Sequence, residues 1–441
     1  MRRFLVVGVL SFVMSVGAAA SADADLAAPH RMTLPDCIAQ AMQASPDVKS
    51  SNEDREIAHA ERAETGGNFG PRIHVDGSLQ YWDSTFAINF GGTPFTVRDQ
   101  FTWSASVSAI QPLTGLFAIY EQYNMRDMGV DVAEIRRQAT RRDVSFRVVE
   151  DYYRLLQAER LAEVAVASVD QLTAQLKLAN SFHDTGVVSK DDVLRAELAL
   201  ASAKQRLIQA RAGVTLGRSH LAVQMGLSPS ADIDVVPLSG EPDTTLDMTL
   251  ERAEAKALTD RVEVKEVARQ IEQSKSGVRL AWYKMAPQVN LVANYTHTIG
   301  SPFSQVDAEF IGGSLSWDVW DWGTSIATVK EANAHLRQAR DARQKLEDQI
   351  RLEVREAFLD VGSAKEGLDV AKAAVSSAEE HYRLVLKRYE ANTTTSFDVV
   401  DAESLLTQAR AQLQTSTYDY LVSRAALRRA TGDGPGALRA P

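Results

Sequence analysis

Apolar residues recur at intervals of three and four along a stretch that occurs twice in this chain. The first copy comprises Val193, Ala196, Leu200, Ala203, Leu207, Ala210, Val214, Gly217 and Leu221. The second copy begins 206 residues later and comprises Val399, Ala402, Leu406, Ala409, Leu413, Ser416, Tyr420, Ser423 and Leu427. A strict alternation of three and four is typical of a helix that packs along one stripe against another helix. An ordinary buried helix would explain one copy, but two copies in register favour an internal duplication.

Elsewhere the hydrophobic period falls to two, which predicts β-strands. The predicted strands are residues 73–81, 101–109, 289–296 and 315–319, and residues 83–100 and 298–309 are predicted to be the loops between them. In the first run, Ile73 and Val75 alternate with His74 and Asp76. Each strand is therefore predicted to have one apolar and one polar face.

Helical patterns fill most of the remaining sequence. Two short helices are predicted near Thr33 and from Pro46, because proline is well tolerated in the first turn of a helix. After Gly115 a helical pattern continues to about residue 183, a length of ~100 Å at ~1.5 Å per residue. Gly186 can adopt the left-handed conformation that turns the chain back into an antiparallel helix, and Asn392 tolerates it at the corresponding turn of the second copy. Ser189 is the predicted N-cap of the returning helix, with Asp192 three residues on.

The same order of elements returns from Thr249, so each half reads helix, helix, strand, strand, long helix, long helix. We therefore expect a first repeat at residues 23–227, a connector at 228–248 and a second repeat at 249–432, followed by a tail at 433–441. The predicted fold is mainly α-helical, with long antiparallel coiled-coil hairpins and four strands.

The first 22 residues read as a signal peptide. Arg2 and Arg3 precede an apolar run at residues 4–16, and the small residues Ala20 and Ala22 fit a cleavage site. A membrane anchor would need about 20 apolar residues. No later stretch is long and apolar enough to span a bilayer as a helix, so strands must do so if the chain crosses a membrane.

Charge and cysteine content narrow the possible partners. The 441-residue chain carries a net charge of −10, or −12 once Arg2 and Arg3 are removed, which argues against nucleic acid. Cys37 is the only cysteine, so no internal disulfide can form, and we expect it to be buried as a small apolar residue.

Four strands are too few to close a barrel, because about eight is the practical minimum. Open sheet edges are not tolerated in lipid. If these strands span a membrane, the protein must therefore oligomerise. The alternative is a soluble periplasmic protein whose strands pack on its own helices.

The chain resembles the TolC family of trimeric outer-membrane efflux channels over nearly its whole mature length. Individually its motifs are weak, but their order and repetition are specific. They are Thr33-Leu34 with Ser45-Pro46, Pro71 and Pro287 where helix gives way to strand, Gln111-Pro112-Leu113 after the second strand, and the hairpin tips at 186–193 and 389–399. The resemblance implies a homotrimer in outer-membrane lipid, with a 12-stranded β-barrel and an α-barrel tunnel through the periplasm. It also implies a periplasmic adaptor and an inner-membrane pump as partners.

The resemblance further implies a gate at the hairpin tips. Asp398 and Asp401 match two carboxylates that face the narrow entrance, and their i, i+3 spacing places both on one helix face. Favourable charge at a helix N-terminus is the alternative explanation, and it fits Asp398 better than Asp401. Asp192 and Tyr389 match a latch that holds the entrance shut. Thr394 stands where the family usually has an arginine, so the closed state is expected to be held differently, with Lys190 as one candidate.

The tips themselves are the expected docking surface for an adaptor. The residues concerned are Gly186, Val187 and Ser189 in the first repeat and Asn392 and Thr395 in the second.

No catalytic or metal-binding motif is present in the sequence, and the eight histidines lack metal-ligand spacing. We therefore expect no enzymatic activity, no cofactor and no metal. Two functions remain: a passive exit duct, or a periplasmic coiled-coil adaptor without a pore. Adaptors usually have one hairpin flanked by compact β domains, whereas this chain has two halves with amphipathic strands.

Overall fold

The computed structural model describes residues 31–434, apart from Ser239, Pro242, Leu246 and Asp247. The predicted signal peptide and all but the first two residues of the predicted tail lie outside this part. The first repeat contains α1 (Leu34–Ala44), α2 (Pro46–Gly67), β1 (Arg72–Tyr81), β2 (Phe86–Phe90), β3 (Thr93–Arg98), β4 (Phe101–Pro112), α3 (Gly115–Asp184) and α4 (Lys190–Gln224). The second contains α5 (Leu250–Asp260), α6 (Val262–Tyr283), β5 (Gln288–Ile299), β6 (Asp307–Ser316), α7 (Thr324–Glu390) and α8 (Ser396–Ala430).

The long helices form two antiparallel hairpins, α3 with α4 and α7 with α8. Helix α3 has 70 residues and α7 has 67, so each extends ~100 Å. The predicted seam is confirmed, because all of its positions in α4 and α8 are buried or half-buried. At Gly217 a Cβ atom would lie 3.3 Å from Leu155 Cδ1, so the small seam residue permits close approach of α3.

Four strands form one antiparallel sheet in the order β1-β4-β5-β6. The register aligns residues of the same character across it. Ile73, Ala109, Ala293 and Ile311 lie side by side on one face, whereas Asp76, Ser106 and Thr296 lie side by side on the other. The predicted amphipathic character is thus present, and the apolar side chains are exposed in the single chain, Ile311 by 79%.

Two predictions about the strands are wrong. The fourth strand was expected at residues 315–319, but β6 ends at Ser316, because Trp317 and Val319 belong to the segment that leaves the sheet. The predicted loops also contain strand. Residues 83–100 include the β2–β3 hairpin, whose two turn residues, Gly91 and Gly92, both have positive φ.

The largest core lies where the short helices meet the middle of the long ones. Residues of α1, α3, α4 and α8 pack there with Ile233 and Val235 of the connector. Cys37 is fully buried in this core, as expected, and burial raises the pKa of its thiol to about 12. Within the described residues, no helix combines the length and apolar content needed to cross a membrane.

A ring of six alternating charges joins the two repeats beside this core. Arg142 of α3 donates both Nη atoms to Glu263 of α6, at 2.8 and 3.2 Å. Arg261 bridges Glu263 and Glu353 at 2.9 and 2.6 Å. Arg429 of α8 bonds Glu353 and Asp143, and Asp143 pairs with Arg142 at 3.0 Å, which closes the ring. Arg142 and Arg261 are each only 5% exposed.

We expect Glu263→Gln to destabilise the protein by about 3 kcal/mol at pH 7, because it leaves two buried guanidiniums without their shared anion. Burial opposes ionisation of Glu263, but hydrogen bonds from Arg142 and Arg261 hold its pKa far below its ordinary value of 4.5. A depressed folded-state pKa gives stability that is complete above pH 4.5 and is lost as the pH falls.

The difference in unfolding free energy between wild type and Glu263→Gln should therefore be constant from pH 7 to 5 and shrink below pH 4.5 by about 1.4 kcal/mol per pH unit. Thermal unfolding at several pH values measures this difference. The exposed Glu356→Gln is the control. An unchanged difference at pH 3 would contradict the prediction.

Candidate functional site at the hairpin tips

Both hairpins turn through the same hydrogen-bonded motif. At the end of α3, the N–H of Gly186 donates to His183 O at 2.9 Å and that of Val187 donates to Phe182 O at 2.8 Å. At the end of α7, Asn392 donates to Tyr389 O and Thr393 to Arg388 O, both at 2.9 Å. This pattern is a Schellman motif and needs a left-handed residue. Gly186 has φ +78° and Asn392 has φ +53°, so asparagine takes the left-handed role as expected.

The helices that leave the tips begin with equivalent capping boxes. Ser189 caps α4, and its N–H donates to Asp192 Oδ2 at 3.3 Å. Thr395 caps α8, and its N–H donates to Asp398 Oδ2 at 3.0 Å. Ser189 was predicted as a cap, whereas Thr395 was expected only to dock an adaptor. The two carboxylates occupy the same place in the two repeats.

The two predicted gate carboxylates have different surroundings. Asp398 Oδ2 accepts hydrogen bonds from the hydroxyls of Thr394 and Thr395, and these bonds lower the pKa of Asp398. Asp401 is exposed one turn further along α8 and has no hydrogen bond or ion pair with any described residue. Helix capping therefore accounts for Asp398 but not for Asp401. Thr394 contributes to the cap of Asp398.

The predicted latch residues do not form a hydrogen bond in this chain. Tyr389 is 1% exposed, and its ring packs against Phe182 with centroids 5.6 Å apart. Burial raises the pKa of Tyr389, and the nearby carboxylate of Asp192 raises it further. The nearby Ser396 hydroxyl opposes this rise in pKa. The hydroxyls of Tyr389 and Ser396 nevertheless form no hydrogen bond with each other or with another described residue.

Contacts between the two hairpins hold the tips together. Leu178 and Phe182 of α3 pack against Tyr389 of α7 and against Val399 and Ala402 of α8. The guanidinium of Arg195 on α4 lies 6.0 Å from the ring centroid of Phe397 on α8. Lys190, the other candidate for the latch, is exposed at the start of α4.

Sequence reasoning missed one buried carboxylate in this region. Glu403 is 2% exposed and accepts hydrogen bonds from Ser168 of α3 at 2.6 Å and from Thr407 at 2.7 Å. It follows the seam residue Ala402, and a charged residue next to a seam is normally exposed.

The five residues predicted to dock an adaptor are all exposed, as a docking surface requires. They are Gly186, Val187, Ser189, Asn392 and Thr395.

Comparison with known proteins identifies the family. The sequence matches the outer membrane efflux protein family over residues 37–226 and 255–433. The chain belongs to the outer membrane efflux protein family.

Among individual relatives, the chain is 22% identical to the outer membrane efflux protein BepC of Brucella suis over 285 residues. That match covers 64% of this chain and 61% of BepC. The chain is 20% identical to the outer membrane protein TolC of Escherichia coli K12, over 89% of this chain and 80% of TolC. It is 22% identical to the alkaline protease secretion protein AprF of Pseudomonas aeruginosa, over 88% and 82% of the two chains.

Solved structures share the fold. The outer-membrane channel OprN superposes with a TM-score of 0.78 at 20% identity, over 91% of this chain and 90% of OprN. The outer membrane protein VceC of Vibrio cholerae gives 0.76 at 18% identity, over 91% and 96%. The resemblance seen in the sequence is confirmed. The protein is an outer-membrane efflux channel, and the alternative of a periplasmic adaptor is set aside.

Because the Tyr389 hydroxyl is buried without a partner, we expect Tyr389→Phe to leave stability unchanged or raise it by up to about 1 kcal/mol. Tyr420→Phe is the control, since this tyrosine is also buried but its hydroxyl donates to Asp243 O at 3.0 Å. That substitution should cost about 1 kcal/mol. Thermal unfolding of both variants provides the measurement, and a larger loss for Tyr389→Phe would show that its hydroxyl has a partner.

Proposed function

We propose that three copies of this chain form a passive exit duct, joined through a periplasmic adaptor to an inner-membrane pump that supplies the energy. One observation carries the proposal. The four-stranded sheet has an exposed apolar face and two free edges, β1 and β6, and it is attached to helices ~100 Å long. Lipid requires every backbone group to be paired, so the edges must meet those of other copies.

The two repeats, residues 23–227 and 249–432, supply one hairpin each to the duct, and the connector at 228–248 links them at the level of the main core. Export through the signal peptide at residues 1–22 would deliver the chain to the periplasm. The duct needs no catalysis, cofactor or metal of its own, and the attached pump decides the cargo. Secretion of a protein, as named for AprF, is one such use.

Cross-linking tests the edges directly. Ser78→Cys on β1 and Ser314→Cys on β6 place thiols on the polar face at the two edges, whereas Cys37 is buried and should not react. With a flexible bifunctional reagent, the double variant in membranes should give species of two and three chains and none larger. Each single variant should give no species above two. Longer ladders, or a stable soluble monomer, would refute the trimer.

We further propose that Asp398 and Asp401 form two stacked rings of carboxylates at the periplasmic entrance, with Asp192 and Tyr389 beside them in the closed state. Threefold symmetry gives six negative charges in one constriction, which favours cations. The uncapped Asp401 is the freer of the two to meet an ion.

In planar bilayers the wild-type channel should prefer cations most clearly at low salt, because the Debye length is ~10 Å at 0.1 M. Multivalent cations should block it from the periplasmic side. Asp398→Asn with Asp401→Asn should remove most of both effects while trimers still form. Asp341→Asn, which removes an exposed charge from α7, should change neither. Selectivity that survives in the double variant would assign both carboxylates to helix capping alone.

The tips are proposed to dock the adaptor, because Gly186, Val187, Ser189, Asn392 and Thr395 are exposed at the far end of the hairpins from the sheet. A bulky residue at Gly186 or Ser189 should abolish export in cells without loss of trimers. Asn392→Gly preserves the left-handed turn and should keep export. Export that tolerates bulky residues at both tips would move docking elsewhere.

A further inference from the structure

The β2–β3 hairpin, at the end of the sheet remote from the long helices, has one apolar face. Strand pairing places Phe86, Ile88 and Phe90 of β2 on the same face as Phe95 of β3. All four side chains are exposed, Phe90 by 71%. The opposite face carries small or polar residues, namely Ala87, Asn89, Pro94 and Thr96. So many exposed apolar groups on a short hairpin are unfavourable in water, so another surface must cover them.

The base of the hairpin shows which way its apolar face points. The indole of Trp82 donates to Thr102 Oγ1 at 3.1 Å, and Thr102 pairs with Gln80 on the polar face of the sheet. The guanidinium of Arg98 stacks on this indole, 3.6 Å from the ring centroid. Arg98 is also the cross-strand partner of Phe86, so it belongs to the apolar face of the hairpin. That face therefore lies on the same side as the polar face of the sheet.

The proposed duct gives this inversion a direction. The apolar face of the sheet meets lipid there, so the apolar face of the hairpin is turned toward the channel axis. Twelve strands ~4.8 Å apart and tilted by ~40° enclose a barrel of radius ~12 Å. Strand β2 has five residues and extends ~17 Å. A hairpin that leans inward from the rim therefore reaches the axis, where it meets the same face of the other two copies.

We propose that three β2–β3 hairpins pack their apolar faces together on the threefold axis and close the outer mouth of the duct. This packing removes the rings of Phe90 and Phe95 from water. A constriction lined by apolar side chains excludes water and ions by dewetting, without any charged latch. The inference rests on the proposed function, because it takes three copies to form the barrel and the polar face of the sheet to line it.

Disulfide formation tests whether the hairpins meet. Phe90→Cys places a thiol on the apolar face, and Asn89→Cys places one on the opposite face of the same strand, whereas Cys37 is buried. Two thiols can join when their Cα atoms approach within ~7 Å. In membranes treated with copper phenanthroline, Phe90→Cys should therefore give disulfide-linked dimers in at least about fivefold higher yield than Asn89→Cys. Equal yields would overturn the packing of these faces.

Thiol modification from outside the cell tests whether the packed hairpins close the mouth. Ser106→Cys lies on the polar face of β4, below the hairpin, and Ser84→Cys lies at the exposed start of the hairpin. In intact cells, a membrane-impermeant maleimide should modify Ser106→Cys at least about tenfold more slowly than Ser84→Cys. Adding Phe90→Ser with Phe95→Ser should raise the rate at Ser106→Cys by at least about tenfold, because the apolar seal is lost.

The matched control changes the other face of the same hairpin. Asn89→Ser with Thr96→Ser should leave modification of Ser106→Cys slow. Rapid modification beside the wild-type hairpin would show an open mouth, as expected if the hairpins lay in lipid, and would overturn the closure. Slow modification in every variant would overturn it too.

The cross-linking ladder from the β1 and β6 edges is measured in parallel. Absence of trimers refutes the duct and the closure together. Intact trimers in which Ser106→Cys reacts rapidly refute the closure alone.

Discussion

The ring of six charges at the junction of the repeats constrains the whole molecule. Arg142, Glu263, Arg261, Glu353, Arg429 and Asp143 alternate in sign and come from α3, α6, α7 and α8 and the turn before α6. The buried guanidiniums of Arg142 and Arg261 need their neighbours, since an unpaired charge at this depth would cost several kcal/mol. The ring, together with the apolar contacts of α8 with α3, therefore fixes how the first hairpin sits against the second. The coiled-coil seams can hold each hairpin together, but they do not set the angle between them.

The tips show how far the duplication reaches. The two repeats share the left-handed position, the two hydrogen bonds that end the first helix and the carboxylate that caps the next, although Gly186 is replaced by Asn392 and Ser189 by Thr395. The two turns therefore share the same backbone hydrogen bonds and left-handed conformation although their residues differ. The repeats differ one helical turn beyond the cap, where Asp401 of α8 corresponds to Arg195 of α4.

Local pattern was enough to predict the helices, the seams, the left-handed turns and the Ser189 cap, because each depends on residues within one or two turns. The position of β6 was predicted wrongly because Trp317 and Val319 continue the alternation of Leu315 after the hydrogen-bonded ladder has ended. The β2–β3 hairpin was missed because a Gly91-Gly92 pair is as common in irregular loops as in hairpin turns, and the strands on either side are short. The charge ring joins Asp143 to Arg429, 286 positions away, and Glu403 is bound by Ser168, 235 positions away, and no local period records such pairs. At the proposed gate, the sequence grouped Asp398 with Asp401, and the structure distinguishes them by their hydrogen bonds.

The polar face of the sheet has a consequence for the cargo of the proposed duct. Ser104, Ser106 and Ser108 follow one another along β4, opposite Ser78 and Asn294 on the neighbouring strands, so short, neutral groups line most of this face, with Asp76 of β1 as a charged residue beside them. Ser78 and Ser104 already bond each other at 2.8 Å. When a serine hydroxyl exchanges a hydrogen bond to water for one to a passing molecule, the net gain in free energy is small, about 1 kcal/mol or less. This face of the sheet would therefore bind any cargo only weakly and would not select among cargoes. Such a lining would leave discrimination to the proposed carboxylate rings at the entrance.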